Sequence, residues 1–466
     1  MHFNKILIIF IILDYSISSY LIYPFKTRKS EVNGTDKNLT LLFRSIIDNN
    51  IYINLEIGET KQIIDVFLRS DIYEFYFSEK NKADLNPYYL KPKMYDVNSD
   101  INNFFDKDKS NTLEISNKSA YSSKWVTHKG NYSSDIFYLK ENNKINIQRL
   151  SFGLYNATVG NMPGILGLKL PYIKGDKTYN FIEQLKLKDS INNYLWMINY
   201  TSDYEGNLII GEQPHLLDPK NFKQNNLITT TPFLYKTMMI QWGLRFDDIL
   251  FNNTKFRLDK ECYFSYEFNY IGGIDQFEKE LDKYFNESIL NGTCFKENIN
   301  YSYFPQRFYY CDKDKYKENI KYFPQLKFIH SELNYTFELD YKDLFIEKDD
   351  KLILMVFFDR DPMYWELGKP FLRKYSFLMN QDAKTVGFYH KEEIENNIIN
   401  EYNSRNTVLL KIIFIILGVV ILFILGIFIG KYYFKDKKRK NIVEDDYEYI
   451  SKKDDFLQKN EEGQIN

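Results

Sequence analysis

The sequence predicts an all-β globular part followed by a single C-terminal membrane helix. Ahead of the C-terminal region, short β-rich runs are broken by Asn, Asp and Gly, and long helical periodicities are scarce. Residues 412–430, "IIFIILGVVILFILGIFIG", are by contrast one unbroken apolar run. At about 1.5 Å per residue that run crosses a hydrocarbon core of roughly 30 Å.

Taken in order, residues 1–18 read as a signal peptide. Lys5 precedes "ILIIFIIL", too short to span a bilayer, and "SISS" places cleavage near Ser18 or Ser19. "IYINLEIG" alternates and ends at Gly58; "DIFYL", "INIQRLSFGL" and "GNLIIGE" read as further strands, and "YFPQLKFIH" with "YTFELDY" as a strand pair. Apolar residues recurring at three and four predict helices in "TYNFIEQLKLK" and "GIDQFEKELDKYF". Residues 393–408 are a linker, 409–430 the membrane helix and 431–466 a tail opening on "KYYFKDKKRK". Such a basic cluster stays cytoplasmic, which makes the chain a single-pass type I membrane protein with its N-terminal part lumenal or extracellular.

Sixty-one Lys and Arg balance 63 Asp and Glu, so no charge bias points to nucleic acid. The abundance of Tyr, Phe, Asn, Ile and Lys reads as codon bias in an A/T-rich genome and carries no function. The sequons at Asn33, Asn38, Asn117, Asn131, Asn156, Asn199, Asn252, Asn286, Asn291, Asn300 and Asn334 all precede the anchor, which agrees with a glycoprotein of that topology. Of the three cysteines, Cys294 and Cys311 close a short loop and are the expected disulfide, leaving Cys262 free and buried. The five histidines stand far apart, no Cys/His metal spacing occurs, and neither metal nor cofactor is expected.

"IGETKQIIDVFLRSDIYEFYF" resembles the strand, Ile-Gly, Gln and apolar strand that lead into the Asp-Thr-Gly-Ser of the pepsin-like aspartic proteases (peptidase family A1). "GILGL", "FIEQLKLKDSI" and "GNLIIGE" follow in the family's order, "WGLRFDDILFNN" resembles the opening strand of its second lobe, and "YWELGKPFLRKYSFLMNQDAKTVGFY" matches its C-terminal pattern. The resemblance covers residues 22–390. It implies a bilobal β fold, with lobes over 20–205 and 206–392, a substrate cleft between them and a catalytic Asp from each. Gly164, Gly167, Gly368 and Gly387 then serve turns and close strand packing, and Trp365 belongs to the core.

The same alignment removes the chemistry. Arg69, Ser70 and Asp71 stand on the first Asp-Thr-Gly, and Ser265, Tyr266 and Glu267 on the second. The family's reaction needs two neighbouring carboxyls that share one proton and activate a water. Arginine offers only donors and stays protonated, and serine cannot hold the shared proton. Both motif glycines have become acids. The pseudo-twofold axis that the resemblance implies sets 69 opposite 265 and 71 opposite 267, so Arg69 is expected to pair with one of these acids, Glu267 being the preferred partner. In the flap, Gly130 and Asp135 keep the family spacing, and Tyr121 or Trp125 is the flap aromatic. The chain passes from the cleavage site almost directly into "LIYPFK", which leaves no room for an inhibitory prosegment.

Three readings follow. The first is a membrane-anchored pseudoprotease whose cleft binds a peptide or protein partner. The second is an active aspartic-type endopeptidase, a hydrolase performing proteolysis with an unconventional centre. The third is an adhesion or receptor ectodomain. The secretory pathway, cell surface or endosomal/lysosomal system is the expected location, and "YEYI", Tyr447 to Ile450, fits a Tyr-x-x-apolar signal read by a sorting adaptor.

Overall fold

The computed structural model describes residues 19–27, 42–43, 46–47, 50–79, 103–121, 129–141, 144–155, 163–169, 179–232, 241–256, 261–301, 304–359 and 364–390. The signal segment, the linker, the membrane helix at 409–430, the tail with Tyr447, and Trp125 in the flap all lie outside the described residues. So do the sequons Asn33, Asn38 and Asn156 and the side chains of Tyr121 and Asn300. Among the described residues no helix is long and apolar enough to cross a membrane.

The expected strands form, and their order exposes a duplication. In the first half, Ile51–Ile57 pairs antiparallel with Gln62–Arg69, which runs parallel to Gly164–Gly167. Gly164–Gly167 is antiparallel to Phe75–Ser78, which is parallel to Lys144–Tyr155. The second half repeats this sequence of senses with Gly243–Arg245, Glu261–Phe264, Trp365–Leu367, Ile271–Gly272 and Val356–Phe357. Each half therefore passes one strand between two others that precede it in the chain, and the segment leaving the inner strand emerges at the same place in both.

One sheet joins the halves. Leu21–Thr27, Glu205–Ile210 and Leu195–Tyr200 come from the first half, and Phe377–Asn380, Thr385–Tyr389 and Leu227–Thr230 from the second. The join is antiparallel, Leu378 facing Met197 and Asn380 facing Leu195. The boundary expected between 205 and 206 falls inside the strand Glu205–Ile210 of this shared sheet, and the described residues between 19 and 390 form one compact unit.

The aromatic excess goes inward. Phe75, Phe77, Phe137 and Phe152 are fully buried and meet mostly edge to face, with Phe77 and Phe152 centroids 4.9 Å apart. Edge-to-face contact adds to area burial because a ring's positive edge meets its neighbour's negative face. Trp196, Trp242 and Trp365 are the largest fully buried side chains, as the core role for Trp365 requires. Cys294 and Cys311 face each other across the hairpin of Cys294–Tyr301 and Phe304–Asp312 and are disulfide-bonded, while Cys262 is free and buried.

Both predicted helices are present, as Phe181–Leu187 and Asp275–Leu290. The first starts where Asn180 accepts a hydrogen bond from the Glu183 amide (3.0 Å), satisfying a donor the first helical turn leaves unpaired. The same Asn180 donates from Nδ2 to the carbonyls of Tyr73 (2.8 Å) and Gly167 (3.0 Å), tying the helix to both chain segments beside Arg69.

Gly167 and Gly368 occupy matching places in the two halves. A Cβ on Gly167 would stand 2.4 Å from the Tyr73 carbonyl carbon, and one on Gly368 would stand 2.1 Å from the Tyr270 oxygen. Gly368→Ala is expected to destabilise the protein by about 3 kcal/mol or more, because backbone is the obstacle and cannot rotate away. Gly292→Ala, at φ +69° in open space, should lose only about 1 kcal/mol. Thermal unfolding of the two variants checks the difference, and equal losses would contradict the packing argument.

Candidate functional site

The paired registers fix where each site residue stands. Leu68 faces Leu166 and Arg69 faces Gly167 in the first half, while Phe264 faces Leu367 in the second. With Leu166-Gly167 and Leu367-Gly368 equivalent, Arg69 corresponds to Ser265, Ser70 to Tyr266 and Asp71 to Glu267. All of these except Arg69 are buried, and the Arg69 side chain is 16% exposed.

Arg69 does not take Glu267 as its hydrogen-bonding partner. Its Nε donates to Asp71 Oδ1 at 2.9 Å and its Nη2 to Asp71 Oδ2 at 2.8 Å, a bidentate fork. Asp71 is two residues away on the same turn, so the pair closes locally. Glu267 is held elsewhere: its Oε2 accepts from the Ser70 hydroxyl at 2.6 Å and from the Ser70 amide at 3.2 Å. Ser70 Oγ in turn accepts from the Tyr266 amide at 3.3 Å. The bond between the halves is thus Ser70 to Glu267 and Tyr266, and the expected Arg69–Glu267 bridge is corrected to an Arg69–Asp71 pair beside it.

The surroundings hold this arrangement from below. Trp242 donates from Nε1 to the Leu168 carbonyl at 3.0 Å, crossing between the halves. Trp196 meets Trp242 and Tyr266 edge-on at 6.2 and 5.6 Å. Ser265 is fixed through its backbone, its amide donating to Leu367 (3.1 Å) and its carbonyl accepting from Phe268 (3.1 Å).

Electrostatics follow from burial. Removal from water works against the Arg69 charge, but the charge and hydrogen bonds of Asp71, and the charge of Glu267, outweigh it and hold the guanidinium above its ordinary pKa. Burial raises the Glu267 carboxyl, as does the Asp71 charge, while Arg69 and the Ser70 hydroxyl pull it back only in part. The floor therefore holds a permanent cation, an acid committed to it, and a second acid that protonates readily. Asp71 faces the Arg69 fork with both oxygens while Glu267 is held by Ser70, so the two acids are tied to different donors rather than to each other.

Elsewhere the sequence-derived candidates scatter. Gly130 and Asp135 lie on Lys129–Glu141, with Asp135 accepting from Ser110 Oγ (2.7 Å) and Thr112 Oγ1 (2.5 Å), a buried structural role. Tyr121 ends the strand Glu114–Tyr121 that pairs with it. Asn117, Asn131, Asn252, Asn286, Asn291 and Asn334 are exposed, whereas Asn199 lies within the shared sheet and accepts from Ser376 Oγ at 3.1 Å. Among the described residues no group of three His, Cys, Asp or Glu stands ready to hold a metal ion. Sequence reasoning gives Ser70, Tyr266 and Trp242 no role in joining the halves. The alternation of strand periodicity does not reach into these turns, and only the position of Ser70 in the motif hints at it.

This architecture is the bilobal pepsin-like fold. The crystal structure of basic 7S globulin from soybean matches it with a TM-score of 0.53, covering 80% of this chain and 97% of that one at 11% identity. At that identity the likeness establishes the fold alone. No family model and no curated protein matches the sequence.

Two consequences can be measured by unfolding. Arg69→Ala leaves Asp71 buried without its cation and is expected to lose about 3 kcal/mol or more. Because Glu267 binds its proton more tightly folded than unfolded, its contribution to stability is greatest below the unfolded value of 4.5 and is lost as pH rises through its higher folded pKa. Glu267→Gln should flatten that part of the stability–pH curve while keeping an oxygen for Ser70. An unchanged curve would show that Glu267 does not titrate in this way.

Proposed function

We propose that this chain is a membrane-anchored, catalytically inactive protein of pepsin-like fold, whose interlobe cleft serves as a binding surface for a peptide or protein partner. The observation that carries the reading is the bidentate Arg69–Asp71 pair at the place where the fold's first catalytic aspartate belongs. A guanidinium there can neither accept a proton from water nor share one with a second carboxyl. Ser265 on the other side supplies no acid. The displaced pair of Asp71 and Glu267 is disfavoured as a substitute, since one acid is clamped by Arg69 and the other by Ser70. The signal segment, the run at 412–430 and the basic flank support a lumenal or extracellular domain on a single-pass anchor.

Full-length protein incubated with a mixed peptide pool from pH 3 to 7 is expected to release no fragments. A transition-state mimic carrying a hydroxyl at the scissile position should find no paired acids to hold it. Cleavage abolished by Glu267→Gln would overturn the proposal in favour of an unconventional protease. Restoring acids alone is also expected to fail. Arg69→Asp with Ser265→Asp adds two carboxyls to Asp71 and Glu267, and four clustered acids do not settle into a one-proton state. Activity requires at least Asp71→Gly and Glu267→Gly in addition, and measurable acid-optimum cleavage by the double variant would show the site to be misread.

For the tail, we propose that Tyr447 to Ile450 directs sorting as an extended segment read by an adaptor. Tyr447→Ala is expected to shift the steady-state distribution toward the cell surface, as seen by surface labelling. An unchanged distribution would remove the role.

A further inference from the structure

At the cleft floor the cation, Arg69, is met by Asp71, but a cation in the second half has no such partner. Lys369 lies at the start of the short helix Lys369–Lys374, half-buried, with its amide donating to the Phe268 carbonyl at 2.9 Å. Its ammonium stands 5.2 Å from the centre of the Tyr204 ring. Among the described residues it has no ion-pair partner. The acids nearest its pocket are already engaged: Asp343 with Lys374 (2.5 Å), Glu347 with Lys313 (2.5 Å), and Asp203 with Arg373. Lys342 and Lys348 add further positive charge to the rim.

Lys369 faces a cavity of about 270 Å3, just below the roughly 300 Å3 at which drug-sized ligand pockets begin. Ile46, Phe345, Met355 and Pro370 form its apolar wall and are themselves buried, while Asn269 is held by donating to the Ile47 carbonyl at 3.1 Å. A partly buried ammonium without a carboxylate gives up hydration that no pairing replaces. An anionic ligand would supply the missing partner.

We propose that this pocket binds a small amphiphilic carboxylate, its head group paired with the Lys369 ammonium and its apolar body against Ile46, Phe345 and Met355. A monoanion fits because Lys369 is the cation set against the apolar wall, while Arg373 is taken by Asp203 and Lys342 and Lys348 stand at the rim. The cavity's size limits the body to a short chain or ring. This assignment does not rest on the cleft being inactive or on what the cleft binds.

The pocket also predicts a pH signature. Burial lowers Lys369 from 10.5 to about 8, so the charged form that an anion needs is lost as pH rises past that value. The charged and titratable groups around it are Tyr204 and Asp203 from the turn before Glu205–Ile210, Lys342, Asp343, Glu347 and Lys348 from the segment after Asp340, and Arg373 on its own helix. Affinity should be level from about pH 6, where the carboxylate is ionised, to pH 8 and fall above it, by up to tenfold per pH unit.

The test titrates full-length protein with hexanoate, with hexan-1-ol, hexylammonium and butyl phosphate as companions, by calorimetry and thermal shift. Saturable hexanoate binding is expected, weakened at least about tenfold by Lys369→Met, with no saturable binding of the alcohol or the ammonium. Without ligand, Lys369→Met should unfold at a higher temperature than the native protein, since an unpaired charge has been removed. If that variant does not fold, the fall of native-protein affinity above pH 8 stands as the test. The proposal is overturned if hexan-1-ol binds as tightly as hexanoate, or if Lys369→Met binds hexanoate unchanged. It is equally overturned if butyl phosphate binds and hexanoate does not, or if nothing saturates by about 10 mM, where binding is too weak for a built site.

Discussion

A guanidinium taken out of water between two lobes must find its counter-charge within reach of its own turn. Arg69 and Asp71 meet that requirement in a bidentate fork, and this local neutralisation frees Glu267 to be held by Ser70 from the opposite half. The rest of the floor depends on the division. If Arg69 drew Glu267 across the interface, the Ser70 hydroxyl and amide would lose their acceptor and Asp71 would lose its cation. Two short pairings, one within a half and one between halves, satisfy more donors than a single long bridge.

The scaffold beneath follows from backbone geometry. In both halves an inner strand is threaded between two earlier ones, and the chain leaving it passes so close to the neighbouring loop that Gly167 and Gly368 admit no side chain. Asn180 then locks the first of these crossings by capping a helix and holding two carbonyls at once. The space between the halves is filled by Trp196, Trp242 and Tyr266. The fold is kept by packing and hydrogen bonds that make no use of any chemistry at the floor.

The floor and the Lys369 pocket obey the same electrostatics with opposite outcomes. At the floor, the cation is met by a carboxylate of its own turn and the second acid is held by a hydroxyl and an amide. Beside Tyr204, the acids are engaged by other cations and Lys369 keeps only an aromatic face. A ring quadrupole attracts an ammonium less strongly than a carboxylate does once water is excluded.

The sequence by itself determined the strand-rich class, both longer helices, the Cys294–Cys311 pairing and the residues standing at the two motif positions. Alternation and helical period report the solvent-facing and core-facing sides of each element, and motif spacing carries across a strand without insertion. The choice of Asp71 over Glu267 as partner for Arg69 was decided only by tertiary structure. That choice turns on which donors lie across the interface, and the bonds there join residues almost two hundred positions apart in the sequence. The isolation of Lys369 was invisible for the same reason, since whether a lysine is solvated, paired or left bare depends on the neighbours that the folded chain sets around it.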